Sequence, residues 1–232
     1  MIAAGQATWY LSRGTGAVSL VLLTISFALG IPTLLSWGTP RVPRLVVQLM
    51  HRNVSLLVVA FLVIHIATSV LDSFVSISWV DALVPFGGTY RPIWLGFGAL
   101  AADCLIAVII TSLLRTRISY MMWKRVHWLA YACWPIAVVH GLGTGTDTRY
   151  GWMQLLDAAC AAVVLGSIAW RLAVKPMQDP RRKTATIASV VGVPLLIIVW
   201  MFAGPMRADW GKTHKAAQPA VTQDATTEGT VP

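Results

Sequence analysis

The chain has 232 residues, of which 56% are hydrophobic and only 12% are charged. About a quarter of the residues of a soluble domain are charged, so this composition excludes an ordinary soluble protein and indicates an integral membrane protein. The formal net charge of +9 would suggest nucleic-acid binding in a soluble protein, but the sequence contains no nucleic-acid-binding motif. Basic residues that flank membrane spans explain the charge. The apolar runs are continuous rather than alternating, which excludes a membrane β-barrel.

Six apolar runs are each long enough to cross a bilayer as a helix, which takes about 20 residues. In chain order the predicted spans are residues 9–31, 45–71, 92–114, 119–142, 152–173 and 185–203. The sequence therefore predicts an all-α, six-helix transmembrane bundle over residues 9–203. A short N-terminal segment, residues 1–8, precedes the bundle. Residues 204–232 are polar, rich in Thr, Ala, Gln and Pro, and are predicted to be a disordered tail.

The basic residues predict how the bundle is oriented. Most of the 18 Lys and Arg residues lie in or beside the connections that follow spans one, three and five. Most of the acidic residues lie in the termini and in the other connections. Because positively charged connections stay in the cytoplasm, we expect a multi-pass protein of the cell membrane with both termini on the extracytoplasmic side.

Four of the five histidines lie in two of these spans. Span two holds His51 and His65, which are 14 residues apart, and span four holds His127 and His140, which are 13 apart. A helix rises about 1.5 Å per residue, so the two histidines of each span lie roughly 20 Å apart along the helix. With the predicted orientation, the first histidine of each span lies near the cytoplasmic face and the second near the outer face. If spans two and four are neighbours, the histidines meet at two depths, and each facing pair can supply two axial nitrogens to one haem iron.

The spacing within span four raises a geometric difficulty. Thirteen residues at about 100° each turn through about 220°, so a straight regular helix cannot aim both histidines at one partner. Pro135 lies between them, and a proline inside a helix kinks it. We therefore expect a distortion at Pro135 that re-aims His140. Zinc fits the histidines less well than haem, because each depth offers only two of them and zinc takes three or four ligands.

Span two contains the motif H-x13-H, span four contains H-x12-H, and the basic connection RTRISYMMWKR leads into RVHWLAY. These motifs resemble the ferric reductase-like transmembrane domain family, which includes the membrane part of NADPH oxidases, ferric-chelate reductases and the bacterial haem subunit MsrQ. The resemblance covers roughly residues 9–172. It implies two stacked b-type haems, the inner one held through iron by His51 and His127 and the outer one by His65 and His140.

The resemblance also implies transmembrane electron transfer from a cytoplasmic or membrane donor to an extracytoplasmic acceptor, such as a ferric chelate, oxygen or a partner oxidoreductase. No G-x-G-x-x-G motif opens a βαβ unit in the chain. We therefore expect a separate electron donor, which is a flavoprotein, a free reduced flavin or a quinol, and flavin only through that partner. The chain has no C-x-x-C-H motif, so covalent haem attachment is not expected.

Two alternatives remain open at this point. The first is an MsrQ-like haem subunit that serves one extracytoplasmic oxidoreductase, so that the chain is an electron-transfer subunit without activity of its own. The second belongs to another class, a proton or metal transporter that uses the intramembrane histidines as a relay. The haem hypothesis predicts a red protein, whereas the transporter hypothesis predicts a colourless one.

Arginines near the two histidine depths are candidates for binding haem propionates, which are anionic. Arg52 and Arg125 are each next to an inner histidine in the sequence. Arg13, in the motif SRGTG, and Arg91, in the motif TYRP, lie on the predicted outer side. Each of these side chains has an alternative role, because arginines at span ends also extend towards the membrane surface and set topology.

Other residues have two possible roles. Asp103 lies within span three, where it either carries protons or is a protonated acid bound to a neighbouring helix. Trp134 lies between the two predicted haem depths, where it fills the space between them or simply packs. Gly14 and Gly16 allow the close approach of a haem or of another helix. His214 belongs to the polar tail and is expected to be solvated.

Overall fold

The computed structural model describes residues 2–72, 75–145, 147–176 and 178–207. These residues form eight α-helices and one short 3-10 helix, and they contain no β-strand, so the predicted all-α class is confirmed. The elements are α1 (Ile2–Leu34), α2 (Arg44–Leu71), α3 (Trp79–Leu83), α4 (Pro92–Leu113), α5 (Tyr120–His127), α6 (Leu129–Thr144), the 3-10 helix (Asp147–Arg149), α7 (Gly151–Val174) and α8 (Pro180–Ala203). Most of the predicted tail, including His214, lies outside the described residues.

Five helical segments among the described residues are long and apolar enough to cross a membrane. They are Ala7–Leu34, Arg44–Leu71, Pro92–Leu113, Gly151–Val174 and Lys183–Ala203. They correspond to the predicted spans one, two, three, five and six. Helix α1 begins at Ile2, so residues 2–8 of the segment predicted to precede span one belong to the same helix as that span. Large apolar side chains, such as those of Leu155 and Leu196, are exposed along these helices. This is expected for helices that are surrounded by lipid.

Local sequence explains where several helices begin. Pro92 and Pro180 lie in the first turns of α4 and α8, where a fixed φ suits the helix and no backbone N–H is needed. The Ser119 hydroxyl accepts a hydrogen bond from the backbone N–H of Met122 and so caps α5. Helix α3 begins with a reciprocal capping box between Ser78 and the third helical residue. These signals set the ends of the elements that carry the site.

Predicted span four differs from the other five, because it is broken into α5 and α6. The regular hydrogen bonding stops at Trp128, whose N–H donates to the carbonyls of Lys124 and Arg125 at 3.2 and 3.3 Å. The Tyr131 N–H then donates to the Trp128 carbonyl, a shorter-range bond typical of a 3-10 turn. The 16 residues of α6 rise about 24 Å, less than the roughly 30 Å of hydrocarbon.

Span four is therefore distorted next to His127, and the distortion expected at Pro135 stays a prediction. The helical hydrogen bonding is interrupted next to His127, whereas Pro135 lies inside α6. The break follows a change in the character of the chain. Helix α5 is amphipathic and carries exposed Lys124 and Arg125, whereas α6 is apolar almost throughout. The two segments favour different surroundings, so one continuous helix through both would suit neither.

The helices that hold the histidines are each supported by another helix. Helix α2 packs along α1, and α6 packs along α4. Small residues allow α4 and α6 to approach closely. Ala99, Ala101 and Ala102 of α4 are buried, and the Cys133 thiol of α6 lies 3.3 Å from the Ala101 carbonyl oxygen. These contacts hold α2 against α1 and α6 against α4.

Trp134 links the two pairs at an intermediate depth. Its indole Nε1–H donates to the Thr24 hydroxyl at 2.8 Å, and that hydroxyl donates in turn to the Leu20 carbonyl. Trp134 also forms a buried apolar cluster with residues of α6 and α7. At the edge of the bundle, the Trp200 ring of α8 lies 4.8 Å from the Trp94 ring of α4. Trp134 therefore has a packing role that joins α6 to α1.

Candidate functional site

The structure brings the four histidines of spans two and four together in the two predicted pairs. The ring centres of His51 and His127 are 6.5 Å apart, and their planes are inclined by 74°. The ring centres of His65 and His140 are 6.4 Å apart, with an angle of 80° between the planes. His51 and His65 are 14 positions apart, which corresponds to about 21 Å of helix rise, so the pairs lie at two depths.

Both separations fit two imidazoles on opposite sides of one iron. An imidazole nitrogen lies about 1.1 Å from its ring centre and a metal–imidazole bond is about 2.0 Å long, so the two ring centres of such a pair are about 6.2 Å apart. Two neutral nitrogen ligands at each depth are also what a bis-histidine haem needs. Within the described ranges, no group of three His, Cys, Asp or Glu side chains could hold a bare metal ion.

Three of the four histidines donate a hydrogen bond to a backbone carbonyl of the supporting helix. A carbonyl only accepts, so Nδ1 carries the proton in each case and Nε2 keeps the lone pair that a metal needs. The bonds run from His51 Nδ1 to Ser26 O at 3.0 Å, from His65 Nδ1 to Ser12 O at 2.8 Å, and from His140 Nδ1 to Trp94 O at 2.9 Å.

A glycine follows each acceptor carbonyl by four residues. The pairs are Ser12 with Gly16, Ser26 with Gly30, and Trp94 with Gly98. A Cβ added at Gly98 would lie 2.5 Å from His140 Nδ1, and one added at Gly16 would lie 3.0 Å from His65 Cε1. At Gly30 the corresponding distance to His51 Cε1 is 3.6 Å, an ordinary contact. Gly16 is therefore close to a histidine ring, whereas a Cβ at Gly14 would meet nothing within 4 Å.

Serine pairs join α1 to α2 beside the hydrogen-bonded histidines. Ser55 and Ser69 each follow a histidine by four residues and donate to its carbonyl at 2.7 Å. Their hydroxyl oxygens lie 2.8 Å from Ser26 Oγ and 2.6 Å from Ser12 Oγ, respectively. Because each α2 serine has already used its proton, the α1 serine is the donor in each pair.

Most of these supporting residues were not predicted, although two repeats in the sequence indicate them. Helix α1 contains S-x3-G twice, as SRGTG and SFALG, with a spacing of 14 residues. Helix α2 contains H-x3-S twice, as HRNVS and HIATS, with the same spacing. Matching repeats on neighbouring antiparallel helices indicate that one set of contacts is made twice.

His127 differs from the other three histidines. Its Nδ1 is buried and has no hydrogen-bond partner. Its ring stacks on Trp123, with centres 4.9 Å apart and planes inclined by 24°. The supporting helix α4 has no glycine after Gly98, and in its C-terminal half the Thr111 hydroxyl donates to the carbonyls of Ala107 and Val108. The contact made by His140 therefore has no counterpart at His127.

A cavity of about 330 Å³ adjoins the outer histidine pair. Its wall includes His65, His140 and the buried, apolar Val58 and Val138, but neither inner histidine. The Ser19 hydroxyl in this wall is buried without a hydrogen-bond partner. The outer pair thus has a largely apolar space beside it.

The two outer arginine candidates lie close to this end of the bundle. Arg91 Nη1 donates to the carbonyls of Gly143 and Thr144 at 3.0 Å each, while its Nε is buried without a partner. Arg13 lines the cavity and forms a 2.5 Å ion pair with Asp147. Both side chains therefore have protein partners, and their binding to haem propionates stays a prediction.

The inner arginines and the buried acids are less closely connected to the site. Arg52 and Arg125 are exposed beside the inner histidines, and their predicted role toward propionates is untested. Asp103 is half-buried in α4 and does not line the outer cavity. Asp157 of α7 does line it, and sequence analysis did not single it out. Its position inside predicted span five was the signal that could have found it.

The five apolar helices define a multi-pass membrane protein. The chain belongs to the family of ferric reductase-like transmembrane components, whose family model matches residues 14–138, more than half of its length. Membership of this family implies transmembrane electron transfer. The matched region contains His51, His65 and His127 and ends two residues before His140. No curated protein and no solved structure shows significant similarity to the chain.

Proposed function

We propose that the protein is a six-span membrane cytochrome b that carries electrons one at a time between the two faces of the membrane. The direction is from a cytoplasmic or membrane donor to an extracytoplasmic acceptor. The observation that carries the proposal is the separation of the two histidine pairs, 6.5 and 6.4 Å between ring centres, at two depths of one bundle. Both values suit axial ligation of one iron by each pair.

Each group near the pairs has a part in holding a haem. His51 and His127 would hold the inner haem through its iron, and His65 and His140 would hold the outer one. A bound b haem supplies one-electron ferric–ferrous chemistry. The carbonyl bonds at three of the four rings keep Nε2 unprotonated for the iron, and the apolar wall beside the outer pair keeps water away.

Charged groups at the bundle ends suit the anionic edges of the cofactors. The buried Nε of Arg91 is a free donor beside the outer cavity end, and Arg13 lines the cavity itself. Arg52 and Arg125 offer exposed positive charge next to the inner ligands. Charge-assisted hydrogen bonds from such groups bind carboxylates strongly.

The sixth span of the proposal consists of α5 and α6 together. Their 25 residues from Tyr120 to Thr144 rise about 37 Å if fully helical, enough to cross the hydrocarbon. The donor is a separate flavoprotein, a free reduced flavin or a quinol. The acceptor is a ferric chelate or a partner oxidoreductase; the second case makes the chain an MsrQ-like subunit.

Electron transfer across a sealed membrane tests this function. The purified protein is reconstituted into liposomes that contain trapped ferricyanide, dithionite is added outside, and the loss of ferricyanide colour is followed. We expect loss much faster than in protein-free liposomes, and faster still with valinomycin and potassium, because each transferred electron leaves a charge to be balanced.

The histidine variants provide the internal comparison. His51→Ala and His140→Ala each remove a ligand at a different depth, so each should reduce the rate to near that of protein-free liposomes. Thr68→Val is the matched control, because the Thr68 hydroxyl bonds only to carbonyls of its own helix. A wild-type rate equal to that of protein-free liposomes would overturn the proposal.

A further inference from the structure

We propose that Gly98, Gly16 and Gly30 are positioning residues for the haem ligands, each exposing a helix carbonyl that holds the Nδ1–H of one histidine. The proposal rests on the haem-binding function proposed above and deepens it. It assigns two hydrogen-bonded ligands to the outer iron, His65 and His140, and only one, His51, to the inner iron.

The physical basis is the geometry of a helix carbonyl. The carbonyl of residue i already accepts the N–H of residue i+4, but its second lone pair remains available. The side chain of residue i+4 leans back over this carbonyl, because side chains on a helix point toward its N-terminus. A glycine at i+4 leaves the carbonyl open. In hydrocarbon an imidazole N–H has no water to bind, so an open carbonyl stabilises it.

The repeat on α1 and α2 makes this contact twice with one register. The acceptors Ser12 and Ser26 are 14 residues apart, as are the donors His65 and His51. Because the acceptor spacing on α1 equals the donor spacing on the antiparallel α2, one register of the two helices makes both hydrogen bonds, and any other register makes neither. The two serine hydroxyl pairs, at 2.6 and 2.8 Å, hold that register next to each histidine. The register therefore positions an inner and an outer ligand together.

Helix α4 provides the third such hydrogen bond, to His140, but no corresponding bond to His127. The Trp94 carbonyl and Gly98 serve His140, whereas no glycine lies in the cytoplasmic half of α4 and His127 Nδ1 has no partner. A hydrogen bond from Nδ1 makes the imidazole a stronger electron donor through Nε2 and stabilises the ferric state. Weakening such a bond should therefore raise the midpoint potential of the haem concerned.

The distances at the three glycines predict a graded response to alanine. A new Cβ lies 2.5 Å from His140 Nδ1 in Gly98→Ala, so the ring must leave its position. In Gly16→Ala the Cβ is 3.0 Å from His65 Cε1, so the ring shifts by a few tenths of an ångström. In Gly30→Ala the distance to His51 Cε1 is 3.6 Å, and little needs to move. The effect of alanine on the haem site is therefore expected to be largest at Gly98, smaller at Gly16 and smallest at Gly30.

The test is haem content and a potentiometric redox titration of the purified full chain. Gly98→Ala should lose about half of the haem. Gly16→Ala should keep both haems but raise one midpoint, that of the haem lost in His65→Ala. Gly30→Ala should have the smallest effect and act on the other haem. Gly14→Ala and Gly166→Ala are the controls, since a Cβ at either meets nothing within 4 Å and neither residue lines the cavity beside the outer pair.

Each outcome separates the two proposals. Wild-type haem content and midpoints in both Gly98→Ala and Gly16→Ala would overturn the positioning role. Equal shifts in Gly14→Ala or Gly166→Ala would also overturn it, because they would show a general effect of alanine on the membrane helices. If Gly98→Ala does not fold, the Gly16→Ala midpoint alone decides. A colourless wild-type protein would overturn the haem function as well, whereas a red wild-type protein with unresponsive glycine variants would overturn only this inference.

Discussion

The four histidines were identifiable from the sequence, but their surroundings were not. Their spacing within two apolar spans predicted two pairs at two depths, and the structure brings them together in those pairs. The partners of their Nδ1 atoms depend on which faces of α1 and α4 meet the histidine helices. The rotation of each helix about its own axis decides which face meets a neighbour, and the packing of small residues between helices sets it. Examining the spans one at a time gives no information on that packing.

Arg91 shows how a single side chain secures the outer end of α6. Its backbone is left-handed, with φ 41°, and its guanidinium donates to the last carbonyls of α6. Those carbonyls have no partner within the helix, and the positive charge suits the negative end of the helix dipole. Thr144 beside them donates to the His140 carbonyl at 2.7 Å. Arg91 thus stabilises the last turn of α6, in which His140 lies.

We predict that Arg91→Ala lowers the free energy of unfolding by about 1.5–3 kcal/mol, the usual range for hydrogen bonds from a charged donor. The loss is measurable by reversible unfolding of the detergent-solubilised protein in dodecyl sulfate. Arg117→Ala serves as the control, because Arg117 is exposed on the connection after α4. An Arg91→Ala protein as stable as the Arg117→Ala protein would show that these bonds contribute nothing.

At the scale of elements, hydropathy located the long helices well. Predicted spans three and five, residues 92–114 and 152–173, agree within a residue with Pro92–Leu113 and Gly151–Val174. Hydropathy failed at span four, where residues 119–142 were expected to form one helix and the chain breaks at Trp128. No glycine or proline marks that position, so the break follows from the change from amphipathic to apolar sequence. Short α3 was also missed, since a five-residue helix has no periodicity to detect.

We predict that α5 and α6 together cross the membrane. Single cysteines at the exposed Ser76 and Gly151 should then react with a membrane-impermeant thiol reagent added to intact cells. Cysteines at the exposed Thr116 and Gln178 should react only after lysis. The four positions alternate between the outer and cytoplasmic sides if six spans are present.

The parent protein is the control for this labelling, because its native Cys133 and Cys160 are buried and Cys104 is half-buried. Labelling of Thr116→Cys and Gly151→Cys on the same side would contradict the prediction. In that case α5 and α6 would form a re-entrant segment, and the bundle would have five spans.

For the molecule as a whole, the four histidines of the two pairs lie on three helices, α2, α5 and α6, and two of these pack along a supporting helix. Helix α1 supports α2, α4 supports α6, and the Trp134–Thr24 hydrogen bond joins the two pairs between the histidine depths. The outer half is the better enclosed, with a cavity of about 330 Å³ and hydrogen-bonded rings at both ligands. Of the four paired histidines, His127 is the one whose Nδ1 has no partner among the described residues. The two pairs therefore differ in their hydrogen bonding.

The haem content of the purified protein tests the central claim most directly. Reduced-minus-oxidised absorption spectra and a pyridine haemochrome assay, on detergent-purified protein from haem-replete cells, should give a b-type spectrum and about two haems per chain. The count should fall to about one in His65→Ala or His140→Ala, and likewise in His51→Ala or His127→Ala. A colourless wild-type protein would contradict the account and would favour a transporter in which the same four histidines form a relay.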